Sequence, residues 1–154
     1  MSEALRPTSA GIGRVLIAVY GILALAAMGR SVYQIATKFD EAPVAYSLSA
    51  LAAAVYVLAT VALVARGALW FRVAVIAIGF ELAGVLVVGT LSIIDPALFP
   101  DDTVWTAFGR GYAFIPLVLP VLGLLWLRQV ARARTAATPG VTAATPSGTP
   151  GGTA

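Results

Sequence analysis

The sequence predicts an all-α integral membrane protein: a four-helix bundle with both termini in the cytoplasm. Three observations lead there. The 154 residues are 60% hydrophobic and only 11% charged, with a mean hydropathy of +0.93, whereas soluble domains carry roughly 25% charged residues. The apolar residues gather into four runs, each extendable to the length that crosses a bilayer. The basic residues sit at the ends of those runs and divide unevenly between two sides, as the positive-inside rule requires.

Residues 1–13 read as a polar cytoplasmic leader containing Glu3, Arg6 and Pro7. The first apolar run, VLIAVYGILALAAMG from Val15, covers only about 22 Å at helical rise, short of a ~30 Å hydrocarbon core. Continuing it to Ala36 gives a sufficient span, 14–36, and brings Arg30 and Gln34 to the outer interface. The same beginning has the features of a secretory signal peptide, with the small-residue sequence Ala24-Leu25-Ala26, and its cleavage would leave three spans. An uncleaved first span gives the better-balanced topology.

A tight polar connection, Lys38 to Ala42, leads to Pro43, which suits the first turn of a helix. The second span, 43–65, is rich in Ala and carries Tyr46, Ser47, Ser49, Tyr56 and Thr60, residue types common where membrane helices pack closely. After Arg66-Gly67-Ala68, the aromatics Trp70 and Phe71 beside Arg72 mark an interface and open the third span, 69–94. The longest connection, Asp95 to Gly111, carries Asp101 or Asp102 as candidate caps of a short interfacial helix with Val104, Trp105 and Phe108 on the membrane surface.

The fourth span, 111–128, contains Pro116 and Pro120, which membrane helices tolerate and which commonly kink them. The transmembrane domain closes at 134. The tail, 135–154, repeats the pentapeptide TAATP and has too little apolar bulk to pack, so it reads as disordered. Its threonines are potential phosphorylation sites, with an inert tail as the simpler reading. Arg6, Arg14, Arg66, Arg72, Arg128, Arg132 and Arg134 fall on one side of the bilayer. Arg30, Lys38 and Arg110 fall on the other, with Asp40, Glu41, Asp95, Asp101 and Asp102. Both termini are therefore expected in the cytoplasm of a multi-pass protein of the inner (plasma) membrane.

The net charge of +3 spreads along span ends and does not form a nucleic-acid footprint. The chain has no Cys and no His. That excludes disulfides, thiol chemistry and histidine acid–base catalysis, and leaves no metal or cofactor site to expect. No phosphate-binding glycine loop or dinucleotide fingerprint is present. An enzyme is the unfavoured reading.

The sharpest feature is Glu81, the one ionisable residue in the interior of the third span. A carboxylate at that depth costs roughly 2.5 kcal/mol or more and is normally turned toward other helices or water. By helical spacing it shares a face with Ala74, Ala77 and Gly84, while Ile76, Phe80 and Val87 lie opposite, so it is expected to point inward. Arg30, Gln34 and Lys38 form an i, i+4, i+8 stripe on the first span, with Arg30 about 7 Å outward of its middle. Glu81, Arg30 and Gln34 are thus a candidate intramembrane polar site. An Arg30–Glu81 pair is the favoured arrangement, with snorkelling of Arg30 to headgroups as the alternative. The second candidate is the outer connection, where Trp105, Phe108, Arg110 and Tyr112 form either a contact surface or an aromatic belt with solvated charges.

The stretch DPALFPDDTVWTAFGRGYAFIPLVLPVLGLLWL, together with VYGILALAAMGRSVYQIATKF in the first span, resembles small uncharacterised four-span integral membrane proteins of actinobacteria. The resemblance covers roughly Arg14 to Arg128. It implies a four-helix membrane fold in an actinobacterial inner membrane, and carries no activity, substrate or site residue. Two functions are open at this point. One is a non-enzymatic membrane protein acting through helix or loop contacts, its partners the bilayer, a second copy or another membrane protein. The other is a small oligomeric ion-coupled carrier using Glu81, although the two halves show no internal repeat of the kind from which transporters are built.

Overall fold

A computed structural model describes residues 9–136; the first part of the leader and most of the TAATP tail lie outside the described residues. The described chain is helical without a strand. Four helices in it are long and apolar enough to cross a membrane: α1 (Ser9–Lys38), α2 (Pro43–Val64), α3 (Ala68–Ile94) and α4 (Ile115–Ala136). Each helix packs on its sequence neighbour, and α4 returns to touch α1, which closes the bundle. Ser9, Ala136 and the Ala65–Gly67 turn share one end, hereafter the termini end. The 39–42 turn and the long 95–114 connection share the other, the loop end.

The partition of residues follows from the solvent being lipid. Large apolar side chains such as Val15, Leu25, Val32, Ile76, Val87 and Ile94 point outward. The interior instead takes small and hydroxylated residues: Ala24 and Ala27 on α1, Ala52, Ala53 and Ala59 on α2, Ala74 and Ala77 on α3, with Tyr20, Tyr46, Tyr56 and Ser49 among them. Between lipid-like surfaces nothing hydrophobic favours association, so small residues that let backbones approach and polar groups that bond across helices take over.

Two helices differ in extent from the spans expected. Arg14 does not start α1, which is already helical at Ser9. Its first turns are held by packing at Gly13, where an added Cβ would lie 2.7 Å from the Trp126 ring of α4. The fourth helix begins at Ile115, after Ala113 and Phe114 at φ 53° and 59°, a left-handed break that no α-helix continues through. Pro116 therefore falls in the first turn, where its missing N–H leaves nothing unpaired, and Pro120 alone lies inside the helix. At its far end α4 runs past Arg128 to Ala136, so Thr135 and Ala136 are helical.

The largest departure is in the long connection. The helical stretch that follows Asp101 and Asp102 is a 3₁₀ segment, Thr106–Tyr112, interrupted at Ala107–Gly109, and Val104 and Trp105 ahead of it are buried instead of lying on a surface. Asp101 Oδ1 accepts the N–H of Asp102, and the chain then turns into the bundle, with Thr103, Val104 and Trp105 at 4%, 1% and 1% exposure. The sequence explains how non-helical backbone survives there. In lipid every peptide N–H needs an internal partner, and three hydroxyls supply them. Thr106 Oγ1 accepts from the Thr103 N–H at 2.8 Å and Thr103 Oγ1 from the Trp105 N–H at 3.0 Å. On α3, Ser92 Oγ accepts the Ala107 N–H at 2.9 Å and donates to the Gly89 carbonyl. Ala107, Phe108 and Gly109 then pass through left-handed geometry, φ 47°, 61° and 80°.

Candidate functional site

Glu81 lies thirteen residues from either end of α3, at the middle of that helix, and is fully buried. Its face contains Ala74 and Ala77, both buried, while Ile76, Phe80 and Val87 face outward at 70%, 48% and 57% exposure. What answers it is a tyrosine. The Tyr20 hydroxyl of α1 donates to Glu81 Oε2 at 2.7 Å, across the bundle. The Tyr20 ring sits tilted against Tyr56 of α2 with centroids 6.3 Å apart. Tyr56 in turn accepts the indole N–H of Trp105 at 3.2 Å. One polar chain thus runs Glu81–Tyr20, then by ring contact to Tyr56 and to Trp105, touching α3, α1, α2 and the long connection.

The expected Arg30–Glu81 pair is not formed. Arg30 instead donates from Nη2 to the main-chain carbonyl of Asp102 at 2.6 Å. Gln34, one turn on, reaches Asp101 Oδ2 at 3.5 Å, the outer limit of a hydrogen bond, and Tyr46 donates to the same oxygen at 2.8 Å. Lys38 lies 3.9 Å from Glu41 in an exposed contact, which is worth little. The polar stripe of α1 therefore serves the loop end: Arg30 and Gln34, with Tyr46 of α2, clamp the start of the inserted segment. The physical reason is proximity along the bilayer normal. Arg30 stands eight residues from the loop end of α1 and bonds Asp102 there, whereas Tyr20, which holds Glu81, lies ten residues deeper on the same helix.

The aromatic residues of the connection divide. Trp105 is buried and does not form part of a surface. Its ring lies over Gly84 of α3, where an added Cβ would stand 2.7 Å from two ring carbons. Gly84 is ten residues from the α3 terminus, so the indole reaches about 15 Å into the bundle. Phe108 packs in the same manner over Gly89, its backbone nitrogen 2.8 Å from the position a Cβ would take. Tyr112 is half-buried against the core, and of the four residues only Arg110 stands exposed. The connection is a stopper, seated in two glycine notches of α3.

Tyr20, Tyr56 and Tyr46 were the residues that sequence reasoning did not assign to the site. A signal existed for the first two: tyrosine is enriched at membrane interfaces, and both sit mid-span. The glycines at 84 and 89 were equally visible as notches, but nothing local said which aromatic ring would fill them. No family model, curated protein or solved structure matches the chain.

Chemically the site is buried. Glu81 Oε1, Gln34 Oε1, Ser31 Oγ and Ser49 Oγ are buried without a hydrogen-bond partner among the described residues. Glu81 thus keeps one oxygen satisfied and one free, beneath an indole that closes the loop end. Such an arrangement fixes the register of α1, α2 and α3 against one another.

Proposed function

We propose that this chain is a non-enzymatic, multi-pass protein of the inner (plasma) membrane, both termini cytoplasmic, which acts through contacts of its lipid-facing helices and its closed loop end. The partners that fit are the bilayer itself, a second copy, or another membrane protein. The reading keeps the resemblance to actinobacterial four-span proteins, which supplies a fold and no activity. One observation carries it. Glu81, the residue on which transport would depend, is fully buried, bonded to Tyr20, and covered by the Trp105 stopper. A pathway needs a carboxylate that exchanges with water, and this one is enclosed by packed side chains.

One observation favours the second reading, a small oligomeric ion-coupled carrier: Glu81 Oε1 has no hydrogen-bond partner among the described residues. An intramembrane acid with a free oxygen is a group that can take up a proton or a cation once exposed. Proteoliposomes enclosing a pH-sensitive dye separate the two. The contact reading expects no gradient-driven proton movement from the wild type or from Glu81→Gln. Proton movement in the wild type that Glu81→Gln abolishes would overturn it in favour of the carrier.

A further inference from the structure

Of the six acids in the described residues, five (Asp40, Glu41, Asp95, Asp101 and Asp102) lie at the loop end, and the sixth is Glu81. Arg72, Arg128 and Arg132 lie at the opposite end, so no carboxylate of the described chain is near enough to pair with them. One of these arginines lines a groove, and Arg72 stands beside it in sequence. Between the first turns of α3 and the last turns of α4 is a cleft of about 310 Å³, lined by Phe71, Val75, Leu124, Leu127, Arg128 and Ala131. Arg128 is its one charged wall. Arg72 stands three residues from Val75 on the same exposed stripe of α3, and Arg132 one turn beyond Arg128 on α4. The cleft is therefore apolar toward the bilayer interior, at Val75 and Leu124, and cationic where the helices leave it.

An apolar slot beneath a pair of guanidinium groups matches an acyl chain beneath a phosphate. Arginine binds phosphate oxygens through its planar fork, and basic pockets between membrane helices take anionic headgroups. We propose that the α3/α4 groove is a binding site for one anionic phospholipid, its phosphate held by Arg128 and Arg72 and one acyl chain along Val75 and Leu124. Charge complementarity decides the occupant. A second copy seated symmetrically in the same groove would bring Arg72 and Arg128 against their own equivalents, which is repulsive, whereas an anionic lipid neutralises both.

The test is native mass spectrometry of the full chain in detergent, offered phosphatidylglycerol and phosphatidylcholine of identical acyl composition. The wild type retains phosphatidylglycerol in preference. Arg72→Gln/Arg128→Gln lowers that preference about 30-fold, the effect of two basic groups at an anionic surface. Arg14→Gln/Arg66→Gln removes the same charge at the same end but away from the groove, and leaves the preference in place. All four side chains are exposed, so circular dichroism of both variants matches the wild type. Equal loss in the two double variants means diffuse attraction and overturns the site. So does displacement of the lipid by glycerophosphate alone, which would make the groove irrelevant. A dimer that Arg72→Gln/Arg128→Gln strengthens and phosphatidylglycerol does not disperse would place a second copy there instead.

Discussion

Gly84 of α3 is the position at which the stopper can be challenged with a single methyl group. An alanine Cβ there would lie 2.7 Å from Cη2 and Cζ3 of Trp105 and 3.0 Å from Cε3. Carbon contacts settle near 3.5–4.0 Å, so the ring must retreat by roughly 1 Å. Its indole N–H already reaches the Tyr56 hydroxyl at 3.2 Å, and that retreat takes the bond beyond hydrogen-bonding distance. Overpacking costs about 1–3 kcal/mol, and the lost bond adds roughly 0.6–1.5 kcal/mol. Alanine returns about 0.8–1.0 kcal/mol through its better helix propensity. Gly84→Ala should therefore destabilise the chain by about 1–4 kcal/mol. In a Trp105→Ala background the clash and the bond are both absent, leaving the propensity, so the same change should stabilise by up to about 1 kcal/mol. The assay is SDS-induced unfolding from mild detergent micelles, followed by far-ultraviolet circular dichroism, for the four members of the cycle. A change of sign between backgrounds is the expected result. The same small effect of Gly84→Ala with and without Trp105 would refute the placement of the ring.

Two further outcomes follow from the polar contacts. Tyr20→Phe removes the one hydrogen bond to Glu81 and should destabilise by about 1–3 kcal/mol, while Tyr20→Phe/Glu81→Leu, which removes both polar groups, should be milder than Tyr20→Phe alone; equal losses in the same unfolding assay would show that the bond is not made. Asp101→Asn weakens the anchor shared by Tyr46 and Gln34, and Arg30→Leu removes the donor to the Asp102 carbonyl. Both should speed hydrogen exchange of the 103–107 amides and leave the middle of α3 unchanged, whereas faster exchange around Glu81 in Arg30→Leu would point back to a direct Arg30–Glu81 pair.

The helices were legible because their signal is strong and local. An apolar run long enough to span a bilayer has few other uses, and Pro43 and Gly67 punctuate α2 and α3 close to where the helices begin. The inward turn of Glu81 was legible too, since small residues three, four and seven positions away mark the packed face of a membrane helix. Its partner was not. Charge suggested Arg30, but the nearest cation along the sequence face is not the nearest donor in space, and a mid-span tyrosine carries no charge to draw notice. The connection from Asp95 was misread for a related reason. Trp105 and Phe108 beside aspartates have the composition of an interfacial belt, and composition does not distinguish a ring lying on a membrane from one pressed into a glycine notch. The hydroxyls of Ser92, Thr103 and Thr106, which make burial of that backbone tolerable, become informative only once the backbone is known to be inside.

The central claim is that this connection closes the bundle from within, and the chain lends itself to a direct test because it contains no cysteine. Val104→Cys places a thiol of similar size in the buried segment, and Arg110→Cys places one six residues on at the exposed surface. Each is exposed to a membrane-impermeant maleimide in sealed vesicles with the loop end facing the reagent. Rapid labelling of Arg110→Cys with Val104→Cys protected until detergent unfolds the protein is the predicted result. Labelling of Val104→Cys at the same rate as Arg110→Cys would place the connection on the membrane surface and contradict the account.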